Sequence, residues 1–164
     1  MDGLRKIDHS ALASSQATIV LCNLLAFILD WPWLAALVTA VMLLGTLTGR
    51  PGFGFVYTLL LKPLKLVRPH ILSDNPEPHR FAQGFGGTVM LAASLLLFFG
   101  QPFPGWALVW LVAALAALNA FGGFCVGCFF YYWLGRLGLP GFGKQPPVGT
   151  FPGRRPKEEA ADAS

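Results

Sequence analysis

Four apolar stretches, at residues 11–29, 33–47, 81–100 and 106–134, dominate this chain. At about 1.5 Å of helix rise per residue, a hydrocarbon core of about 30 Å takes roughly 20 apolar residues to cross. The second stretch is short and has to draw on flanking residues or thin the bilayer locally. A chain built this way folds in lipid, where every backbone polar group has to be paired within the span, and helices meet that demand.

The basic residues then orient the spans. Arg5 and Lys6 precede the first stretch; Arg50, Lys62, Lys65, Arg68 and Arg80 lie between the second and third; Arg136, Lys144, Arg154, Arg155 and Lys157 follow the fourth. The remaining two loops, around Asp30-Trp31-Pro32 and at residues 101–105, contain no Lys or Arg. Under the positive-inside rule the N-terminus, the middle loop and the C-terminal tail are cytoplasmic, and two tight turns face outward. Aromatic placement agrees, with Trp31, Trp33, Trp106 and Trp110 at the outer boundary and Tyr131, Tyr132 and Trp133 at the inner one.

Composition supports the same class. Hydrophobic residues make up 54% and charged residues only 12%, against about a quarter charged in soluble domains. The net charge of +4 and pI near 9.2 reflect cations flanking apolar spans. They form no basic stripe on a soluble domain, so anionic headgroups are the expected counter-charge and nucleic acid is not an expected partner. The first stretch follows Arg5 and Lys6 as in an export signal. It has no small-residue cleavage site and runs on to Leu29, so it reads as a retained span.

The expected fold is therefore an all-α membrane protein, with four transmembrane helices in two hairpins and a short interfacial helix between spans 2 and 3. That short helix is the apolar run 53–61, which follows the breaker Gly49-Arg50-Pro51-Gly52 and precedes Lys62, Lys65 and Arg68. Residues 1–142 form the transmembrane domain, with Ser10 as the expected cap of the first helix. The Pro- and Gly-rich stretch 143–164 is expected to be a disordered cytoplasmic tail. Ala113, Ala116, Ala120, Gly123 and Gly127 recur at three- and four-residue spacing along the fourth stretch, which permits close helix contact.

Two groups of residues carry chemical potential. The first is Cys125-Val126-Gly127-Cys128. Cysteines three positions apart share a helix face and can form a reducible disulfide or offer two thiolates to a soft metal. Counting from Trp106, Cys125 lies about 28 Å along the helix, at the cytoplasmic interface, where a pair is normally a dithiol. At a helix C-terminus the dipole would oppose a thiolate; a break at Gly122-Gly123 would instead make Cys125 open a new helix, where a thiolate is favoured. Packing of small apolar cysteines beside the glycine stripe is the competing explanation, and the one that suits lone Cys22.

The second group is the block 73–84, with Asp74, Asn75, Glu77, His79 and Arg80 in seven residues that Pro76 and Pro78 are expected to keep out of a helix. Carboxylates, an imidazole and a guanidinium so close together suit acid–base work or binding of a partner, here through Asp74, Asn75 and Glu77. Charges pairing with one another at the mouth of the third span is the competing explanation. Both groups fall at the same membrane face, so His79 or Arg80 is expected to tune the thiolate of Cys125 or Cys128. The spans themselves hold only Asn23, Gln83, Thr88, Ser94 and Asn119 as main polar groups, too few for a proton relay. No nucleotide loop, serine elbow or paired-histidine zinc site is present, and no cofactor is implied.

The segment 1–9, the block 74–84 and Gly123-Phe124-Cys125-Val126-Gly127-Cys128 together resemble the bacterial integral-membrane family known as domain of unknown function 4395, over residues 1–142. The resemblance implies a small multi-span protein of the bacterial inner membrane whose hallmarks are the polar block and the cysteine pair. It also points to thioredoxin-like and sulfur-transfer proteins as companions, and it carries no catalytic residue with it. The leading functional expectation is thiol-disulfide or sulfur-carrier exchange, in which Cys125 attacks or is attacked and Cys128 resolves. The alternatives are a non-enzymatic scaffold that docks a cytosolic partner through the 74–80 loop, and handling of Cu(I) by the two thiolates.

Overall fold

The computed structural model describes residues 5–64, 67, 69–147 and 149–156. Strand β1 (Arg5–Asp8) leads into α1 (His9–Ile28), followed by α2 (Pro32–Thr48), a short α3 (Gly54–Val56) that continues as a π-helical turn over Tyr57–Leu61, strand β2 (Ile71–Asp74), α4 (Pro76–Phe98), α5 (Pro102–Gly122) and α6 (Val126–Arg136). Helices α1, α4 and α5 are long and apolar enough to cross a membrane. Apolar α2 has 17 residues, which gives it a length of about 26 Å.

Helix starts follow local chemistry. Asp8 caps α1, its Oδ1 accepting from the backbone N–H of Ser10 at 3.0 Å and of His70 at 3.2 Å. The expected cap, Ser10, is instead inside the first turn. Helices α2, α4 and α5 each place a proline in the first turn, where a missing N–H costs nothing because those donors have no helical partner. For that reason the prolines of the 73–84 block do not keep it out of a helix. Helix α4 begins at Pro76, five residues before the expected start of the third span, and Glu77, His79 and Arg80 ride on its first turns.

Three further expectations need correction. The fold is mostly helical, as expected, but it carries a strand pair that the expectation lacked: β1 and β2 pair antiparallel, with Arg5 opposite Asp74 and Asp8 opposite Ile71. Four-residue strands carry too little alternation to be seen in a sequence. The fourth stretch is two helices, because Gly123 adopts a left-handed φ of 62° that ends α5, and Cys125 caps α6. Past α6 the chain folds back where disorder was expected: Phe142 packs edge-on against Phe81, Arg154 bridges to Phe124, and Gly153 O accepts from Cys125 N at 2.7 Å. The interfacial run 53–61 is present as α3 and its π turn, with Phe53 and Tyr57 buried and Leu59 and Leu60 exposed. Its expected anchors Lys65 and Arg68, and residues 157–164 of the tail, lie outside the described residues.

Helix α4 is central, packing against α2, α5 and α6, while α1 packs against α2 and α5. The core they enclose is apolar and includes Ile19, Val38, Met42, Met90 and Val109. Two polar contacts cross between helices: the hydroxyls of Thr39 and Ser94 are 3.0 Å apart, and Asn23 Nδ2 donates to Met90 Sδ at 3.9 Å. Large apolar side chains such as Leu44, Leu91, Leu95 and Leu111 cover the outside. The turns at residues 29–31 and 99–101 lie at one end of the bundle; the strand pair, the α3 segment and the α5–α6 break lie at the other.

The seat of α6 on α4 is decided at Gly127, where an added Cβ would stand 2.5 Å from Ala82 Cβ. Gly127→Val is therefore expected to lower stability by about 1–3 kcal/mol through overpacking. Thermal unfolding in detergent micelles measures this, with Val126→Leu as the control on the same helix.

Candidate thiol-disulfide site

Everything at the polar end converges on the α5–α6 break. Gly123 stops α5 and sends the chain into extended backbone, and Cys125 begins the new helix with its Sγ accepting from Cys128 N at 3.2 Å. The two sulfurs are bonded to each other, with Cα atoms 5.2 Å apart. Both residues are buried, at 5% and 3% exposure. When the pair is reduced, the unsatisfied N–H groups and positive dipole end of α6 favour a thiolate at Cys125.

From α4, His79 reaches under the pair. Its Nδ1 lies 3.5 Å from Cys128 Sγ, and its Nε2 lies 2.9 Å from Asp74 Oδ2. With the Nε2 proton on Asp74, Nδ1 presents its lone pair to the sulfur, the arrangement of a general base oriented by a carboxylate. His9, the first residue of α1, places its own Nε2 3.3 Å from the same Oδ2 as an ion-pair partner out of hydrogen-bond alignment. The two imidazoles meet edge to face with centroids 5.7 Å apart.

Asp74 is the anchor. Burial alone would raise its pKa, but the hydrogen bond from His79, the contact with His9, the charge on His79 and the N–H of Asn75 outweigh it, holding the carboxyl well below the usual carboxylate range. Asn75 ties the block to the C-terminal segment, donating from Nδ2 to Gln145 O at 2.8 Å and to Tyr132 Oη at 3.3 Å. Glu77 faces Lys144 at 4.0 Å, away from the sulfurs. Arg80 is also directed elsewhere: its Nε donates to Thr46 O at 2.7 Å and its second guanidinium nitrogen to Leu47 O at 3.4 Å, closing the C-terminal end of α2.

The structure thus brings together Cys125, Cys128, His79 and Asp74 from the sequence-predicted set, and holds Asn75 just behind them. Sequence reasoning missed His9, the cover formed by residues 145–147 and 149–155, and the contribution of Asn119. The signal for His9 was its position, since a histidine at the start of the first apolar helix lies at the same end of the bundle as the block and the pair. Asn119 lines a cavity of about 20 Å3 with His79, both cysteines and the two cations Arg154 and Arg155. That is room for a single water.

In reduced form, Cys125, Cys128 and His79 offer two sulfurs and a nitrogen lying within 4.8 Å of one another, a soft-metal donor set; His9, Asp74 and His79 form a second set that shares His79.

The sequence model of the family described as domain of unknown function 4395 matches residues 7–136, and the chain belongs to that family. The match takes in both the His9–Asp74–His79 cluster and the cysteine pair. No curated protein and no solved structure matches the chain.

Replacing Asp74 by Asn keeps the shape and removes the charge, with an expected loss at neutral pH of about 2–3 kcal/mol, typical of a hydrogen bond to a charged group. The pH dependence has a definite sign. A folded-state pKa below the unfolded value of about 3.9 gives stability that is complete above that value and is lost as pH falls toward the folded one. The gap between wild type and Asp74→Asn should accordingly persist at pH 5 and narrow below about pH 4, as read by denaturant midpoints across pH.

Proposed function

We propose that this protein is a four-span component of the bacterial plasma membrane, with both termini on the cytoplasmic side, that exchanges electrons with protein thiols or sulfur carriers through Cys125 and Cys128. One observation carries the reading: a disulfide at a helix N-terminus whose second sulfur lies 3.5 Å from an imidazole held at 2.9 Å by a buried carboxylate. Packing needs neither the base nor the carboxylate.

The exchange balances within these residues and a client dithiol. A client thiolate attacks Cys125 Sγ and the Cys125–Cys128 bond breaks. Cys128 leaves as thiolate and takes from His79 Nδ1 the proton that His79 accepted there from the client thiol, while Nε2–H keeps its hydrogen bond to Asp74. The client's second thiolate then attacks the client sulfur of the mixed disulfide, and Cys125 leaves as a thiolate accepting the Cys128 N–H at the α6 terminus. The proton of the client's second thiol ends on Cys125, so the client finishes as a disulfide and the pair as a dithiol. A cavity of about 270 Å3 leads to Cys125 from a mouth bearing Lys6, Arg50 and Arg80, and it does not include Cys128 among its lining residues. This supports Cys125 as the attacked sulfur and Cys128 as the resolving one.

The scaffold alternative draws less support, because Asp74 and Asn75, two of the three groups that would dock a partner, are buried and paired within the chain, and only Glu77 is partly exposed. A second reading, Cu(I) handling, is favoured by the donor set of Cys125, Cys128 and His79. Copper retained at one ion per chain after anaerobic reduction, and lost in His79→Asn, would establish it.

For the exchange reading, Cys128→Ser is expected to trap a partner covalently on Cys125, and Cys125→Ser to abolish trapping. His79→Asn should slow exchange about a hundredfold or more, as loss of a general acid–base group does, and flatten its pH profile. Full rescue of a deletion strain's thiol or sulfur phenotype by both single Cys→Ser variants would end this reading. An impermeant maleimide should label the reduced pair in inside-out vesicles and not in right-side-out ones; labelling from outside would overturn the sidedness.

A further inference from the structure

The pair has a second approach that the exchange with a client does not use. A cavity of about 120 Å3 reaches Cys125 from the side of the bundle and is lined mainly by apolar residues of α4, α5 and α6, among them Val89, Leu115 and Val126. Three of its lining residues, Phe85, Leu111 and Phe130, are half exposed on the apolar outer surface. Its mouth therefore opens toward lipid tails. It meets the polar cavity at Gln16, Ala82, Gln83, Asn119 and Cys125, which line both.

Three carboxamides stand at that junction. Gln83 is committed, donating to Met42 O at 2.9 Å and accepting from Gly52 N at 3.2 Å. Gln16 and Asn119 have no hydrogen-bond partner among the described residues. An amide on an apolar helix with nothing to bond to is costly in lipid, and such groups mark places where a ligand or water completes the bonding. Neither amide carries charge, so the junction suits a neutral head with carbonyl oxygens better than an anionic headgroup.

A neutral dicarbonyl head, an apolar tail left in the bilayer, and a dithiol at the end of the slot describe one chemical class. We infer that the lateral cavity binds the head of an isoprenoid quinone, with Gln16 and Asn119 donating to its oxygens, and that the quinone reoxidises Cys125 and Cys128. This rests on the exchange reading, which leaves the pair reduced after each client. The step balances: two S–H bonds break, one S–S bond forms, two electrons pass to the ring, and two protons end on its oxygens to give the hydroquinone. The Cys128 proton leaves through His79 Nδ1; Asn119, which lines the small cavity beside His79 as well as the lateral one, spans the route between them.

The test uses the full chain in lipid nanodiscs. The pair is reduced, freed of reductant without oxygen, and mixed separately with a short-chain benzoquinone, a short-chain naphthoquinone and glutathione disulfide. Quinone loss is followed by absorbance and disulfide formation by maleimide mass shift. Expected is loss of one quinone per disulfide formed with either ring type, and no quinone loss with Cys125→Ser. Removing one donor with Asn119→Leu should slow oxidation by quinone about tenfold relative to oxidation by glutathione disulfide in the same preparation, the cost of one hydrogen bond. Filling the slot with Leu115→Trp should lower that ratio further. Oxidation by glutathione disulfide but by neither quinone overturns the quinone site and leaves the exchange reading standing. Failure of all three oxidants overturns both. Equal effects of Asn119→Leu and Leu115→Trp on all oxidants assign these residues to structure and overturn the site.

Discussion

A carboxylate taken out of water has to be compensated, and the way Asp74 meets that requirement organises the whole polar end of the bundle. Its Oδ1 accepts from Asn75 N at 2.7 Å, and its Oδ2 faces imidazoles that arrive from different helices. His9 comes from the start of α1 and His79 from the start of α4. The strand pair fixes these segments against each other, with Asp74 opposite Arg5 and Asp8, the residue before His9, opposite Ile71. One charge thus ties the start of α1 to the β2–α4 junction. The consequence for chemistry is that His79 has one nitrogen engaged and the other left for Cys128.

The second constraint is the interruption of the fourth apolar stretch. A continuous helix would have placed the cysteines in a last turn, where the dipole opposes a thiolate. Gly123 removes that penalty by ending α5 in a left-handed conformation that a side chain would strain. The freed backbone groups are then satisfied by the returning C-terminal segment: Cys125 N donates to Gly153 O and Arg155 N to Gly123 O. Irregular backbone near membrane depth is tolerated where protein buries it, and this segment does the burying. It also excludes bulk water from the sulfurs, leaving the two side cavities as the approaches to Cys125.

Much of the site was legible as a list and little of it as an arrangement. Cys125 and Cys128 stand out by spacing, and His79 and Asp74 by density of ionisable groups next to a span. Arg80 looked equivalent to His79 from the sequence, yet one residue of helix rotation turns it toward the open carbonyls of α2 and away from the sulfur. Pro76 and Pro78 looked like helix breakers because their position within the helix was not known; in a first turn they are starters. His9 could not be assigned because its role depends on a strand pairing between residues more than sixty positions apart.

By itself the sequence determined the class: helices long and apolar enough to cross a membrane answer to the bilayer's thickness, which acts on each segment independently of its neighbours. It also determined that two thiols would share one helix turn. Tertiary structure alone decided which groups those thiols meet, because the His79–Asp74–His9 chain, the covering segment and the lateral cavity are all made by residues far apart along the chain. Contacts of that kind depend on how helices rotate and seat against one another, and seating is set by steric details such as Gly127 against Ala82 that no local pattern encodes.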